Sequence, residues 1–201
     1  MKLVYSPASP FVRKVEVVLR ETGQLDDVEL LPVKTTAVST PVELQSVNPL
    51  GKIPALIRGD GPALYDSRVI CQFLNDRAGG GLYPDASRWE VMTLEATADG
   101  ILDAAVLMVY ESRVRPPHMV FEDWVEAQWQ KASRGVKAVN DRWMSHLTGP
   151  LNIGQIAIGC ALGYLDFRHA DRNWRKGNDA LDDWFAVFNS RDSMKATQPS
   201  D

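Results

Sequence analysis

Three consecutive glycines, Gly79-Gly80-Gly81, with Pro84 behind them, cut this sequence into two parts that need different architectures. Such a run favours a linker. Ahead of it, extended and helical patterns alternate. Behind it, strand signals vanish and long helical patterns take over. The chain has to build one mixed domain and one helical domain.

In the first part, Leu3-Val4-Tyr5 reads as a strand and Ser6 to Pro10 as a loop that enters a helix. Pro10 fits the first helical position, where its missing N–H costs nothing, which makes Ser9 the N-cap. Val12, Val15, Val18 and Leu19 follow at helical spacing, and Gly23 ends the helix. Val28–Val33 is a second strand, and residues 34–48 contain a short helix. Ile53–Ile57 is a third strand. Gly59-Asp60-Gly61 turns the chain, and Ala63-Leu64-Tyr65 returns as a fourth. Asp66-Ser67 stops it, with Ser67 as N-cap of a helix carrying Val69, Ile70, Phe73 and Leu74. The order βαβα, then ββα, is a thioredoxin-like pattern.

The second part holds a helical pattern from Arg88 to Arg113, broken by Pro116-Pro117. Another runs from Phe121 to Leu147 and stops at Gly149-Pro150. Asn152 opens an apolar helix. Asn152 and Gln155 have the spacing of a capping box, with Leu151 and Ile156 as its hydrophobic staple. A last helix covers Ala180 to Phe188, and the polar tail from Ser190 is expected to fray. The expected fold is thus an α/β thioredoxin-like N-terminal domain at 1–78, a linker at 79–87 and an all-α C-terminal domain at 88–201.

Bulk properties narrow the function. The 201 residues carry a formal net charge of -4, with no basic excess to hold a nucleic acid. No apolar run is long enough to span a bilayer, and Met1–Tyr5 lacks the pattern of a signal peptide. The two cysteines, Cys71 and Cys160, lie in apolar contexts and read as core residues of a protein from a reducing compartment, the cytoplasm. His118, His146 and His169 lack metal-ligand spacing, so no metal is expected.

Three motifs carry a more specific message: Ser9-Pro10-Phe11-Val12-Arg13-Lys14 after the first strand, Asn48-Pro49-Leu50-Gly51-Lys52-Ile53-Pro54-Ala55-Leu56 before the third, and Tyr65-Asp66-Ser67-Arg68-Val69-Ile70 at the third helix. Together with the domain order they resemble the soluble, cytosolic-type glutathione transferases, over essentially the whole chain. Residues 156–168 look like the buried helix of bacterial members.

That resemblance implies a glutathione site. In the family the proline matching Pro54 is cis, and the N–H and C=O of the residue before it, here Ile53, pair with the cysteinyl part of glutathione as one strand pairs with another. Lys52 places its ammonium near the glycine carboxylate, and Lys34 is a further candidate for that role. Asp66 pairs with the γ-glutamyl ammonium. Ser67 and the helix N-terminus take the γ-glutamyl carboxylate. Phe11 lines the pocket wall.

Ser9 falls where cysteine-type members carry Cys, and Ser6 is a nearby alternative. A thiol ordinarily titrates near about 8.5. A hydroxyl donor and a helix N-terminus favour its thiolate, and a fall of about two units corresponds to roughly 2.7 kcal/mol. Serine in place of cysteine argues against mixed-disulfide chemistry. The helical domain should supply a pocket for a hydrophobic electrophile, with Met108, Tyr110, Arg113 and Trp174 as candidates. Asp99 and Asp103 share a helical face that is expected to be solvated.

The resemblance therefore implies a transferase that uses glutathione as cosubstrate, activates its thiolate for addition to a small electrophile, and forms a homodimer. The alternatives are a glutathione-dependent isomerase of the zeta type and a non-catalytic binding protein of the same fold.

Overall fold

The strand β1 (Lys2–Tyr5) is the middle of a three-stranded sheet of order β2-β1-β3. It runs parallel to β2 (Glu29–Pro32), pairing Leu3 with Leu30, and antiparallel to β3 (Ala55–Ile57), pairing Val4 with Ala55. The computed structural model describes residues 1–201 and has two units: Met1–Tyr83 with Asp192–Asp201, and Pro84–Arg191.

In the first unit α1 (Pro10–Glu21) buries Val12, Val15, Val18 and Leu19, the face its spacing predicts, and packs against α3 (Ser67–Arg77). Ser9 is its N-cap. Gly23, at φ 68°, lets the N–H groups of Gly23 and Gln24 return to the carbonyls of Arg20 and Leu19. This is a Schellman ending. A short α2 (Val42–Val47) precedes β3.

Two expectations change here. The fourth strand contracts to a single antiparallel bridge, in which Leu56 and Leu64 exchange two backbone hydrogen bonds of 2.9 Å. The tight Gly59-Asp60-Gly61 turn and Pro62 leave too little chain for a longer ladder. The N-cap of α3 is Asp66, not Ser67, which occupies the first helical position. Asp and Ser are both good caps, and side by side they are one residue apart in register.

The tail also departs from expectation. Instead of fraying off the helical domain, residues 192–201 belong to the first unit and include α9 (Asp192–Lys195). The buried Arg13 donates to the Met194 carbonyl at 3.0 Å and to the Thr197 hydroxyl at 3.4 Å. Ser193 hydrogen-bonds to Glu21. Side chains distant in sequence satisfy the polar tail, which local composition cannot show.

The second unit is all helical: α4 (Arg88–Val114), α5 (Glu122–Arg142), α6 (Met144–Leu147), α7 (Ile153–Arg168) and α8 (Asp179–Phe188). The expected stretch from Phe121 to Leu147 is interrupted at Trp143, whose ψ of 2° is not helical. α4 packs against α5 and α7. Every residue of α7 from Ile153 to Leu165 is buried. A Cβ on Gly154 would sit 2.9 Å from Leu94 Cβ and 3.1 Å from the Val91 carbonyl, so glycine permits the close approach of α7 to α4. No helix is long and apolar enough to cross a membrane.

Candidate functional site

The register of the small sheet gathers the candidate residues. β1 and β2 are parallel, so Ser9 follows β1 and Lys34 follows β2 at the same end of the sheet. β3 is antiparallel to β1, so its beginning, Ile53-Pro54, lies at that end too. Open α/β sheets commonly bind ligands beyond the carboxyl ends of their strands.

Ile53-Pro54 has a cis peptide bond. Pro54 is buried and Ile53 half-buried. Neither the N–H nor the C=O of Ile53 takes a partner within the protein, although β3 begins two residues later. Backbone groups of this kind are ordinarily paired when buried. Here they form an open strand edge.

Asn48 braces this turn. Buried at 2% exposure, it donates from Nδ2 to the Lys52 carbonyl at 2.7 Å and accepts the Leu50 N–H at 3.0 Å. Gly51 follows at φ 65°, with Thr40 so close that a Cβ would meet its methyl at 2.7 Å. The signal in the sequence that marks Asn48 for this role is the turn chemistry of Asn48-Pro49-Leu50-Gly51.

At the start of α3, Asp66 follows a second cis bond, Tyr65–Asp66. Its Oδ1 accepts the Arg68 N–H and its Oδ2 pairs with the Arg68 guanidinium, both at 3.0 Å. Burial pushes this carboxyl up, but the hydrogen bonds from Arg68 and the charges of Arg68 and Lys14 prevail and hold it below the ordinary carboxylate value. Lys14 lies on α1 with 0% exposure, five residues after Ser9. Sequence reasoning missed it because nothing local marks a lysine for burial. Ser67 is 2% exposed, and neither its hydroxyl nor its N–H meets a protein partner.

Ser9 is half-buried and its Oγ accepts the Val12 N–H at 3.3 Å. Capping uses only a lone pair, so the hydroxyl proton remains available to donate. Phe11 is half-buried. Lys34 and Lys52 are exposed, and neither is in an ion pair. The sheet end thus combines an open strand edge, two helix N-termini, an ionised carboxylate and two ammonium groups.

In the helical unit the electrophile candidates separate. Met108 and Trp174 are each 4% exposed, and the Trp174 indole donates to Asp166 at 2.7 Å, so both are core residues. Tyr110 is half-buried and Arg113 exposed. Asp99 is buried rather than solvated, whereas Asp103 is exposed. His169 caps the end of α7 but is buried, its Nε2 at 3.0 Å from the Ala105 carbonyl.

Comparison with known proteins identifies the family. Residues 8–77 match the glutathione S-transferase N-terminal domain family, and residues 122–186 match the C-terminal domain family. The chain is similar to YibF of Escherichia coli K12, an uncharacterised GST-like protein, at 33% identity over 99% of this chain and 98% of that one. It is similar to a solved glutathione transferase family member from Pseudomonas fluorescens Pf-5 with bound glutathione, at 43% identity and a TM-score of 0.96, covering 100% of this chain and 99% of that one. A second structure from that organism, with bound S-(propanoic acid)-glutathione, matches at 42% identity and a TM-score of 0.91, covering 100% of both chains. This chain belongs to the glutathione S-transferase superfamily, with a thioredoxin-like N-terminal domain and a helical C-terminal domain.

Proposed function

We propose that this chain is a glutathione transferase that binds glutathione at the sheet end of its first unit and activates the thiol for attack on a small electrophile. The observation that carries the reading is the unpaired Ile53 backbone. It offers one donor and one acceptor to an extended peptide. Asp66 takes the γ-glutamyl ammonium, while Ser67 and the first turn of α3 take the neighbouring carboxylate. Lys52 and Lys34 meet the glycine carboxylate, and Phe11 forms the wall. The relatives with glutathione or an S-conjugate bound support this reading.

Ser9 donates its hydroxyl hydrogen to the sulfur, and the N-terminus of α1 adds a favourable dipole. The thiolate then forms a carbon–sulfur bond with the electrophile. With an aryl chloride, chloride departs with the electron pair of the broken bond. We assign the protein to the cytoplasm, which suits two buried cysteines. We also assign it a homodimeric state, which suits the 75% exposure of Trp89 on α4.

The test is conjugation of glutathione to chlorodinitrobenzene by the wild type and by Ser9→Ala. The substitution is expected to lower kcat by about tenfold or more, with a smaller effect on glutathione affinity. Equal activity would remove Ser9 from its role. Binding of glutathione without any conjugation would favour the non-catalytic alternative.

A further inference from the structure

Helix α1 is held on two faces. Val12, Val15 and Val18 are buried along one of them, and Arg13, Val17 and Glu21, four residues apart, lie along the opposite one. The carboxyl-terminal tail, part of the same unit, meets this second face at both ends. Ser193 donates to Glu21 in the last turn. Arg13, which closes the first turn, donates from Nη2 to the Met194 carbonyl at 3.0 Å and from Nε to the Thr197 hydroxyl at 3.4 Å. Between these ends α9 packs on α1, and Met194 is 0% exposed.

The tail takes every hydrogen bond that the Arg13 side chain makes, since Nη1 is buried without an acceptor. A buried guanidinium stripped of its acceptors is costly, so the position of Arg13 follows that of the tail. The backbone of the same residue reaches Ser9. The Arg13 N–H donates to the Ser9 carbonyl at 3.0 Å, and the Val12 N–H donates to the Ser9 Oγ at 3.3 Å. These two bonds close the first turn and set the direction of the Ser9 side chain. Reacting groups have to be held to within about 0.5 Å by such supporting contacts.

We infer that Arg13, anchored by the tail at Met194 and Thr197, is a positioning residue for Ser9: it fixes the first turn of α1 so that the Ser9 hydroxyl meets the glutathione sulfur. This rests on the reading of Ser9 given above and adds the tail to it. Ile53, Asp66 and Ser67 lie on other elements. The docked tail therefore governs activation of the thiol and leaves recognition of the peptide to them.

The test uses full-chain variants that leave α1 itself unaltered. Met194→Asp places a charge where the tail is fully buried and drives the tail off. Thr197→Val removes one of the two acceptors and keeps the tail in place. Two properties are read: glutathione affinity by calorimetry, at a pH where the bound thiol is protonated, and titration of the bound thiol by the ultraviolet absorbance of its thiolate. Met194→Asp is expected to change affinity by about twofold or less. It should raise the bound thiol by about one pH unit, which is about tenfold less thiolate at a given pH. Thr197→Val should raise it by less, and it decides the matter if Met194→Asp does not fold. In a Ser9→Ala background neither substitution should raise the thiol further, because the group they position is gone. Tail variants that lose stability or affinity while the thiol titrates as in the wild type overturn the inference. So does an equal rise with and without Ser9. A wild type that binds glutathione but whose thiol is unmoved by Ser9→Ala overturns the Ser9 reading and this inference with it. A wild type that does not bind overturns the glutathione reading itself.

Discussion

The N-terminus of α7 is closed, and that of α3 is open. At α7, Asn152 and Gln155 complete a capping box: Asn152 Oδ1 accepts the Gln155 N–H at 3.1 Å, and Gln155 Oε1 accepts the Asn152 N–H at 3.3 Å. The Gln155 amide also donates to the Leu147 carbonyl at 3.1 Å, and all of this is buried. At α3, Asp66 accepts from Arg68, but the residue placed to reach back is Val69, which has no polar group. The Ser67 hydroxyl and N–H remain without protein partners. Both termini begin with the same shortage of acceptors. One is met from within the protein, where the helix is core. The other stays open, at the end of a sheet where the Ile53 backbone is also unpaired.

Several substitutions break this contrast or sharpen it. Gly154→Val, at the closed end, should have the largest effect. Its side chain would press into Leu94 and the Val91 carbonyl, costing about 3 kcal/mol in denaturant titrations. Glutathione affinity of the folded fraction should be unchanged. Asn48→Ala, at the open end, removes the brace on the Lys52 carbonyl and should cost about 2 kcal/mol. Unlike Gly154→Val it should also weaken glutathione binding, because it loosens the strand edge. If both variants altered stability and binding alike, the division into scaffold and site would fail.

A smaller effect belongs to the other end of α7. Burial holds the His169 imidazole below its usual value of 6.5, against the pull of the Ala105 carbonyl. Between the lowered folded value and 6.5 the unfolded chain binds a proton that the folded chain refuses. The contribution of His169 is therefore complete above 6.5 and declines as pH falls below it. His169→Asn should flatten this part of the stability–pH profile.

Much of this was legible in the sequence where a local rule sufficed. The capping box is spelled by Asn152 and Gln155, the α1 face by valines at helical spacing, and the change of architecture by Gly79-Gly80-Gly81. The site motifs were legible as turn and cap chemistry, and resemblance gave them a ligand. Long-range satisfaction was not legible. Nothing near Ser193 or Thr197 announces that Arg13 and Glu21 will hold the tail, and nothing near Lys14 announces its burial beside the charge of Asp66. Adjacent residues of equal capping strength left the start of α3 uncertain by one position. The hairpin looked longer in composition than its turn allows in space.

The most direct measurement is a calorimetric titration of the full chain with glutathione, beside Asp66→Asn. Asparagine still caps α3 but cannot pair with an ammonium. The expected result is saturable binding by the wild type, weakened about tenfold by the substitution, with little change in stability. Because the charge of Asp66 persists below the ordinary carboxylate value of 3.8, its contribution to binding should hold through mildly acidic pH. No binding by the wild type at millimolar glutathione, or equal binding by Asp66→Asn, would contradict a glutathione site at the open end of the sheet.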